Sequence, residues 1–268
     1  MGHTRLGAIP KTRKWNEVVA QVAGVGLPRG DVPAAVDMAA IAAKTLDAAQ
    51  NGLDRAVNDP GVRYTFYLLT QLALAARAPD WEAALGRHGI RLATDSTVFD
   101  FTVEVQDAID RHLRQYPSRA TDLSEMAQQS AGEAITSLAG RRTESLFGGS
   151  GADVKDAMRS LSTQKGFGEL GQRFFGRFIA RFLNFYLSRV TAAQLGKPRL
   201  QDLGDVAQFN DALRTHCDQS ARIVRDFCGA WYSKTEYEQG INLENASAFL
   251  AHAMRKLRSE LEQQKAEP

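Results

Sequence analysis

Three arginines recur at every fourth position of one segment, at Arg173, Arg177 and Arg181. Side chains four residues apart lie one above another on an α-helix, so this spacing predicts a stripe of guanidinium groups. Guanidinium groups bind carboxylates and phosphates through paired, charge-assisted hydrogen bonds. The stripe is therefore predicted to contact an anion, either on an external partner or on an acidic helix of the same chain.

Formal charge is distributed unevenly along the chain, although its net value is only +2. Residues 141–200 carry +7, whereas residues 31–140 carry −6. This segregation favours either internal pairing between the two segments or binding to nucleic acid, phosphate or an acidic protein surface. A second cluster of basic residues lies at the end of an N-terminal arm, which covers residues 1–11, and just after it. The predicted anion or partner contacts are Lys11, Arg13, Lys14, Arg141, Arg142, Arg173, Arg177 and Arg181.

Residue patterns typical of enzymes and metal sites are missing from the sequence. None of the five histidines has a carboxylate or another histidine three or four residues before it, so helical metal-ligand pairs do not occur. The Gly-rich segment 147–151 could present backbone N–H groups to a phosphate. It lacks the lysine of a P-loop, however, and follows no predicted strand. The sequence therefore favours a non-enzymatic protein with no cofactor and no metal.

The two cysteines, Cys217 and Cys228, are eleven residues apart in one predicted helix. That separation is roughly 16 Å along a helix axis, which excludes a disulfide between them. Both are surrounded by apolar residues and are predicted to be buried and structural. Free thiols indicate a reducing, cytoplasmic compartment.

The elements that position these residues are predicted to be helical throughout. Apolar side chains recur at spacings of three and four residues, and Asp31, Asp80 and Asn242 are suited to cap helices. Residues 98–105 also alternate as a strand would, but the longer pattern favours a helix. The fold class is therefore predicted to be all-α, a bundle of about eight helices.

A phenylalanine-rich helix is predicted to carry the arginine stripe, over residues 168–195. Phe174, Phe178 and Phe182 form a neighbouring apolar stripe that must be buried. The three arginines in the middle of this segment argue against a transmembrane span.

Two C-terminal features carry alternative interpretations. Trp231 and Tyr232 lie near Lys234, a combination that can stack nucleic-acid bases, although packing at the end of the bundle is favoured. The last helix has a heptad-like apolar seam over 243–261, which is too short for an autonomous coiled coil and is expected to pack onto the domain.

The chain divides at the Gly-rich link 147–151 into regions 1–146 and 152–268, or forms a single all-α domain. Residues 147–171 are expected to be mobile or to become ordered on binding. The Ala/Arg/Leu-rich composition is typical of GC-rich bacterial coding.

Three functions remain compatible with the sequence. The first is a helical interaction or scaffold protein, a subunit of a larger bacterial assembly that contacts a protein partner or a second copy of itself. The second is a nucleic-acid-associated protein that uses 141–200 and the N-terminal arm. The third is a membrane-active protein that binds an anionic bilayer through 168–195.

Overall fold

The computed structural model describes residues 11–24, 35–116, 120–140, 150–197 and 200–263. These residues form twelve α-helices and no β-strand, which confirms the all-α prediction. In chain order the helices are α1 (Arg13–Val22), α2 (Ala35–Ala48), α3 (Gln50–Asn58), α4 (Pro60–Ala75), α5 (Trp81–Gly86), α6 (Val98–Leu113), α7 (Asp122–Ala139), α8 (Gly151–Leu161), α9 (Gln164–Gln194), α10 (Leu203–Ser220), α11 (Arg222–Glu238) and α12 (Leu243–Gln263).

The predicted number of about eight helices is too low, partly because two continuous apolar patterns are each divided. Ala49 separates α2 from α3, and Ala221 separates α10 from α11. Alanine is the strongest helix former, so neither break has a local sequence signal. The backbone at Ala221 stays in the right-handed helical region, with φ −69° and ψ −6°. Tertiary packing rather than residue type therefore sets this boundary.

Several helix starts agree with their predicted caps. The Asp80 side chain accepts a backbone N–H from the first turn of α5, and the Asn242 side chain does the same for α12. Asp31 lies outside the described residues. Residues 98–105 belong to α6, where Thr97 and the third helical residue form a reciprocal capping box. The choice of helix over strand is thus confirmed for this segment.

The 31-residue helix α9 is the central element of the fold. It packs against α1, α2, α7, α8, α10 and α11. Phe174, Phe178 and Phe182 are fully buried, as predicted from their spacing. One hydrophobic cluster contains residues from both sides of the Gly-rich link 147–151.

The glycines just after that link pack helices closely together. Residues 150–171 are almost entirely helical, in α8 and the start of α9. That they are mobile or become ordered on binding stays a prediction. Gly166, Gly168 and Gly171 are buried, and a Cβ added at any of them would collide with a neighbouring element. Residues 147–149 lie outside the described part of the chain.

In the described segments, every helix is too short or too polar to cross a bilayer.

Candidate anion-binding site

Arg177 lies at the centre of an ion-pair network that joins α7, α9 and α10. Its Nε atom is 3.0 Å from Glu133 Oε1, and its Nη1 atom is 3.3 Å from Asp218 Oδ2. Only 7% of the Arg177 side chain is exposed. Neither nitrogen has a well-directed hydrogen bond, so Coulombic attraction dominates these contacts. Burial lowers the pKa of Arg177, and the two carboxylates oppose that shift.

Both carboxylates of this network are shared between arginines. Glu133 Oε2 is 2.7 Å from Arg181 Nη2, and Glu133 Oε1 is 3.1 Å from Arg214 Nη2. Arg173 Nη1 is 3.1 Å from Asp218 Oδ2, the same oxygen that contacts the central arginine. Burial raises the pKa of Glu133, but the Arg181 hydrogen bond and the neighbouring arginine charges outweigh it and lower that pKa. We call these residues the arginine network: Glu133, Arg173, Arg177, Arg181, Arg214 and Asp218.

A polar cleft of about 440 Å³ lies beside the network. Helices α9, α10 and α11 supply most of its wall, and α7 contributes one leucine. The arginine cleft is lined by Leu138, Glu169, Gln172, Arg173, Thr215, Asp218, Gln219, Arg222 and Arg225. Arg173 and Asp218 line the arginine cleft and also belong to the arginine network, so a ligand in the cleft would contact the edge of the network.

Two arginines of the cleft keep most of their hydrogen-bonding capacity. In the described part of the chain, no hydrogen bond or ion pair engages the exposed guanidinium of Arg222. Among the described residues, the Arg225 guanidinium pairs only with the adjacent Asp226, at 3.3 Å, and that carboxylate is 86% exposed. Surface pairs of this kind contribute little stability, so an incoming anion would meet weak competition.

No protein-family model, curated protein or solved structure matches the chain. The chemistry of the cleft and its neighbours must therefore carry the functional argument.

Glycines of α9 bring α10 and α11 close enough to build the cleft. A Cβ at Gly168 would overlap the backbone carbonyl of Arg225, and one at Gly171 would lie 2.5 Å from Cys228 Sγ. A Cβ at Gly176 would lie 2.6 Å from Asp218 Oδ1. The three glycines thus let the junction between α10 and α11 rest on α9, which sets arginines of α9 and α11 around one space.

Gly176→Ala is expected to reduce the free energy of unfolding by roughly 1–3 kcal/mol, as for other overpacked sites. The new methyl group would displace Asp218, which holds both Arg173 and Arg177. Chemical denaturation measures the effect. Gly86→Ala is the matched control, because nothing lies within 4 Å of that Cβ position. The control should be neutral or stabilising by up to about 1 kcal/mol, and an equal loss in both variants would contradict the steric argument.

The cleft and network together contain more arginines than carboxylates. Six arginines face four carboxylates when the cleft, the network and Asp226 are counted together. The formal surplus is therefore two positive charges, and the residues that line the cleft contribute one of them, with three arginines and two carboxylates. The positive charge of the cleft should attract anions most strongly at low ionic strength, because Arg222 and Arg225 are exposed and salt screens them.

The structure distributes the predicted contact residues over several environments. Arg173 lines the cleft, whereas Arg177 and Arg181 are engaged inside the network. Lys14 Nζ is 2.7 Å from Asp47 Oδ1, outside the cleft. Arg13 contacts Glu17 at 3.4 Å on the exposed face of α1, and Lys11 is exposed. Arg141 and Arg142 lie outside the described residues.

Sequence reasoning missed five important members of this region, among them Arg214 of the network. Glu133 and Asp218 are far in sequence from the arginines that they contact, so no local pattern identifies them. Arg222 and Arg225 are three residues apart and therefore share one face of α11, which is a weak signal that could have been noticed.

Both cysteines are completely buried and free, as expected for structural residues. They lie on separate helices, Cys217 on α10 and Cys228 on α11, so the assumption of one continuous helix was wrong. Burial raises the pKa of both thiols far above the ordinary value. The described residues also contain no group of three or more histidine, cysteine or acidic side chains able to hold a metal ion.

Neither thiol is expected to react with a chromogenic disulfide reagent while the protein is folded, because the reactive species is the thiolate. Unfolding the protein in guanidinium chloride should make both thiols accessible to the reagent at the same time. Absorbance of the released chromophore measures the reaction. Rapid modification of Cys217 or Cys228 under native conditions would show that one of them is accessible and ionised.

Proposed function

We propose that the protein is a non-enzymatic helical interaction protein, a subunit of a larger assembly, which binds an anionic segment of a protein partner in the arginine cleft. The observation that carries this proposal is the exposed Arg222, which no side chain in the described part of the chain engages, beside Arg173 and Arg225 in one cleft. Arginine is well suited to recognising carboxylates and other planar or tetrahedral anions at interfaces.

The two surfaces suggested by sequence pattern are occupied by intramolecular packing. Phe174, Phe178 and Phe182 of α9 are buried. Most of the seam of α12 is buried as well, including Leu250 and Leu257. This arrangement favours the cleft over either helix face as the contact site. It also weighs against the membrane-active alternative, because that function needs the α9 face to be exposed.

The composition of the cleft favours a protein segment over nucleic acid. Two aromatic side chains that could stack bases are engaged in the core: Trp231 stacks on Phe249 at 4.2 Å between ring centroids, and Tyr232 is fully buried. Tyr237 is exposed but does not line the cleft. The glutamine and threonine side chains of the cleft can instead hydrogen-bond the amide groups of a peptide.

Fluorescence anisotropy with a labelled Glu- and Ser-rich peptide tests this proposal, with a DNA duplex of arbitrary sequence as the second arm. The peptide should bind, and the double change Arg222→Gln/Arg225→Gln should weaken binding by at least roughly tenfold, as expected from losing hydrogen bonds between charged groups. Arg189→Gln is the matched control, since Arg189 is exposed on α9 but does not line the cleft.

Two outcomes would overturn the proposal. Tighter binding of DNA with a steep dependence on salt would favour the nucleic-acid alternative. Equal peptide affinity in the parent and the double variant would show that the peptide does not bind in the cleft.

A further inference from the structure

We infer that the anion recognised in the arginine cleft is a phosphomonoester dianion. This inference rests on the proposed function of the cleft, and it names the chemical group that the cleft is built to hold. The group could be a phosphorylated side chain of the partner or a small phosphorylated molecule. Both sources present the same tetrahedral dianion to the cleft.

Charge balance is the first step of the argument. The cleft is lined by three arginines and two carboxylates, and one of these carboxylates, Asp218, already lies between Arg173 and Arg177. Arg222 and Arg225 therefore present two guanidinium groups to a ligand. A phosphate monoester carries a charge of about −1.5 to −2 at neutral pH. A single phosphate group therefore brings up to two negative charges to these two guanidinium groups, whereas a lone aspartate or glutamate side chain brings only one.

The number of donors is the second step. A phosphomonoester offers three terminal oxygens that each accept more than one hydrogen bond. Arg173, Arg222 and Arg225 place three guanidinium groups around one cleft, and Thr215 and Gln219 add neutral donors. A carboxylate has only two oxygens and would leave part of this donor set unused. Clusters of arginines are a recurring means of recognising phosphorylated segments.

The position of Asp218 is the third step. Its Oδ2 atom is held by Arg173 and Arg177, and Gln172 donates to its backbone carbonyl at 3.2 Å. Its Oδ1 atom is buried close to Gly176. The carboxylate is thus anchored on the network side, so Arg222 and Arg225 are left to meet the ligand.

The second ionisation of a phosphomonoester, with a pKa near 6, provides a sharp test. Affinity should fall as the pH decreases from about 7.5 to 5.5, because the ligand loses charge. A sulfate ion stays a dianion over this range and controls for titration of the protein. The charged and titratable groups that surround the site are Glu133, Glu169, Arg173, Arg177, Arg214, His216, Asp218, Arg222, Arg225 and Asp226.

Isothermal titration calorimetry of the full chain with glycerol 2-phosphate as the phosphomonoester, and with sulfate and acetate, measures these affinities. Phosphate and sulfate should bind more tightly than acetate, by on the order of tenfold, since one further charge-assisted hydrogen bond contributes about that much. Phosphate should weaken at the lower pH, whereas sulfate should not. Arg222→Gln/Arg225→Gln should reduce binding of both dianions, and Arg189→Gln should leave it unchanged.

Peptides distinguish the two sources of the phosphate. A phosphoserine peptide that binds more tightly than free phosphoserine indicates a phosphorylated partner, and equal affinity indicates a small-molecule ligand; both results support a phosphate site. Equal binding of acetate and phosphate would overturn the inference. An acidic peptide that binds the cleft without competition from phosphate would overturn it too, while the proposed function would stand. If none of the anions or peptides binds, both the phosphate inference and the proposed function are contradicted.

Discussion

Replacing Phe66 with alanine is expected to lower the melting temperature by about 6–20 °C. A core phenylalanine-to-alanine change costs roughly 3–5 kcal/mol, and each kcal/mol corresponds to about 2–4 °C in a chain of this size. Phe66 on α4 is fully buried and joins three other helices: its ring contacts Phe174 and Phe175 of α9, Trp231 of α11 and Phe249 of α12.

The loss should be large because no neighbour can refill the space easily. The rings around Phe66 are themselves packed, as shown by the 4.2 Å stacking of Trp231 on Phe249. Phe99→Ala is the matched control, since it is the same change at a side chain that is 58% exposed. Differential scanning calorimetry should show little shift for the control. A Phe66 variant that melts with the parent would contradict the central position of this ring.

The helical fold was largely predictable because its signals are local. The spacing of Phe174, Phe178 and Phe182 predicts one buried face, and all three are buried. Cap residues such as Asp80 and Asn242 mark helix starts through hydrogen bonds within a single turn. Patterns of this kind depend only on neighbouring residues, so a single sequence contains them.

The candidate site was only partly predictable because it depends on contacts distant in sequence. The sequence predicts that Arg173, Arg177 and Arg181 lie on one stripe, and the structure agrees. Their carboxylate partners come from α7 and α10, 45 or more residues away in two of the hydrogen bonds. No local rule identifies Glu133 or Asp218 among the many acidic residues of the chain.

Glycine was the residue type most open to misinterpretation. Glycine-rich stretches are typical of flexible links, yet Gly166, Gly168 and Gly171 are helical positions where another element approaches closely. Such packing becomes apparent only when the partner helix is known.

Glu133→Gln is expected to destabilise the protein by about 3 kcal/mol at neutral pH, the lower end of the range for breaking a buried ion pair. The carboxylate contacts Arg177, Arg181 and Arg214, and Arg177 is only 7% exposed. Arg181 and Arg214 are 30% and 51% exposed, so water can solvate them in part once the carboxylate is gone. Arg177 cannot be solvated in this way, which makes it the main source of the loss.

The same change should alter how stability depends on pH. The pKa of Glu133 is lowered in the folded protein, so its contribution to stability is present above the unfolded value of 4.5 and is lost as the pH falls through the folded value. The difference between the parent and Glu133→Gln should therefore shrink progressively below a pH of about 4.5, because the protonated carboxyl group resembles the amide. Urea denaturation at several pH values measures both proteins.

Glu82→Gln controls for the removal of one negative charge, since Glu82 is exposed on α5 and belongs to no described ion pair. It should change stability by no more than about 0.5 kcal/mol at any pH. A Glu133→Gln variant as stable as this control at neutral pH would mean that Asp218 alone is enough to compensate the buried positive charge of Arg177. A constant loss from neutral to acidic pH would indicate that Glu133 acts through packing rather than charge. The predicted pattern, a loss that disappears on acidification, is expected only if the network needs the ionised carboxylate to hold its arginines.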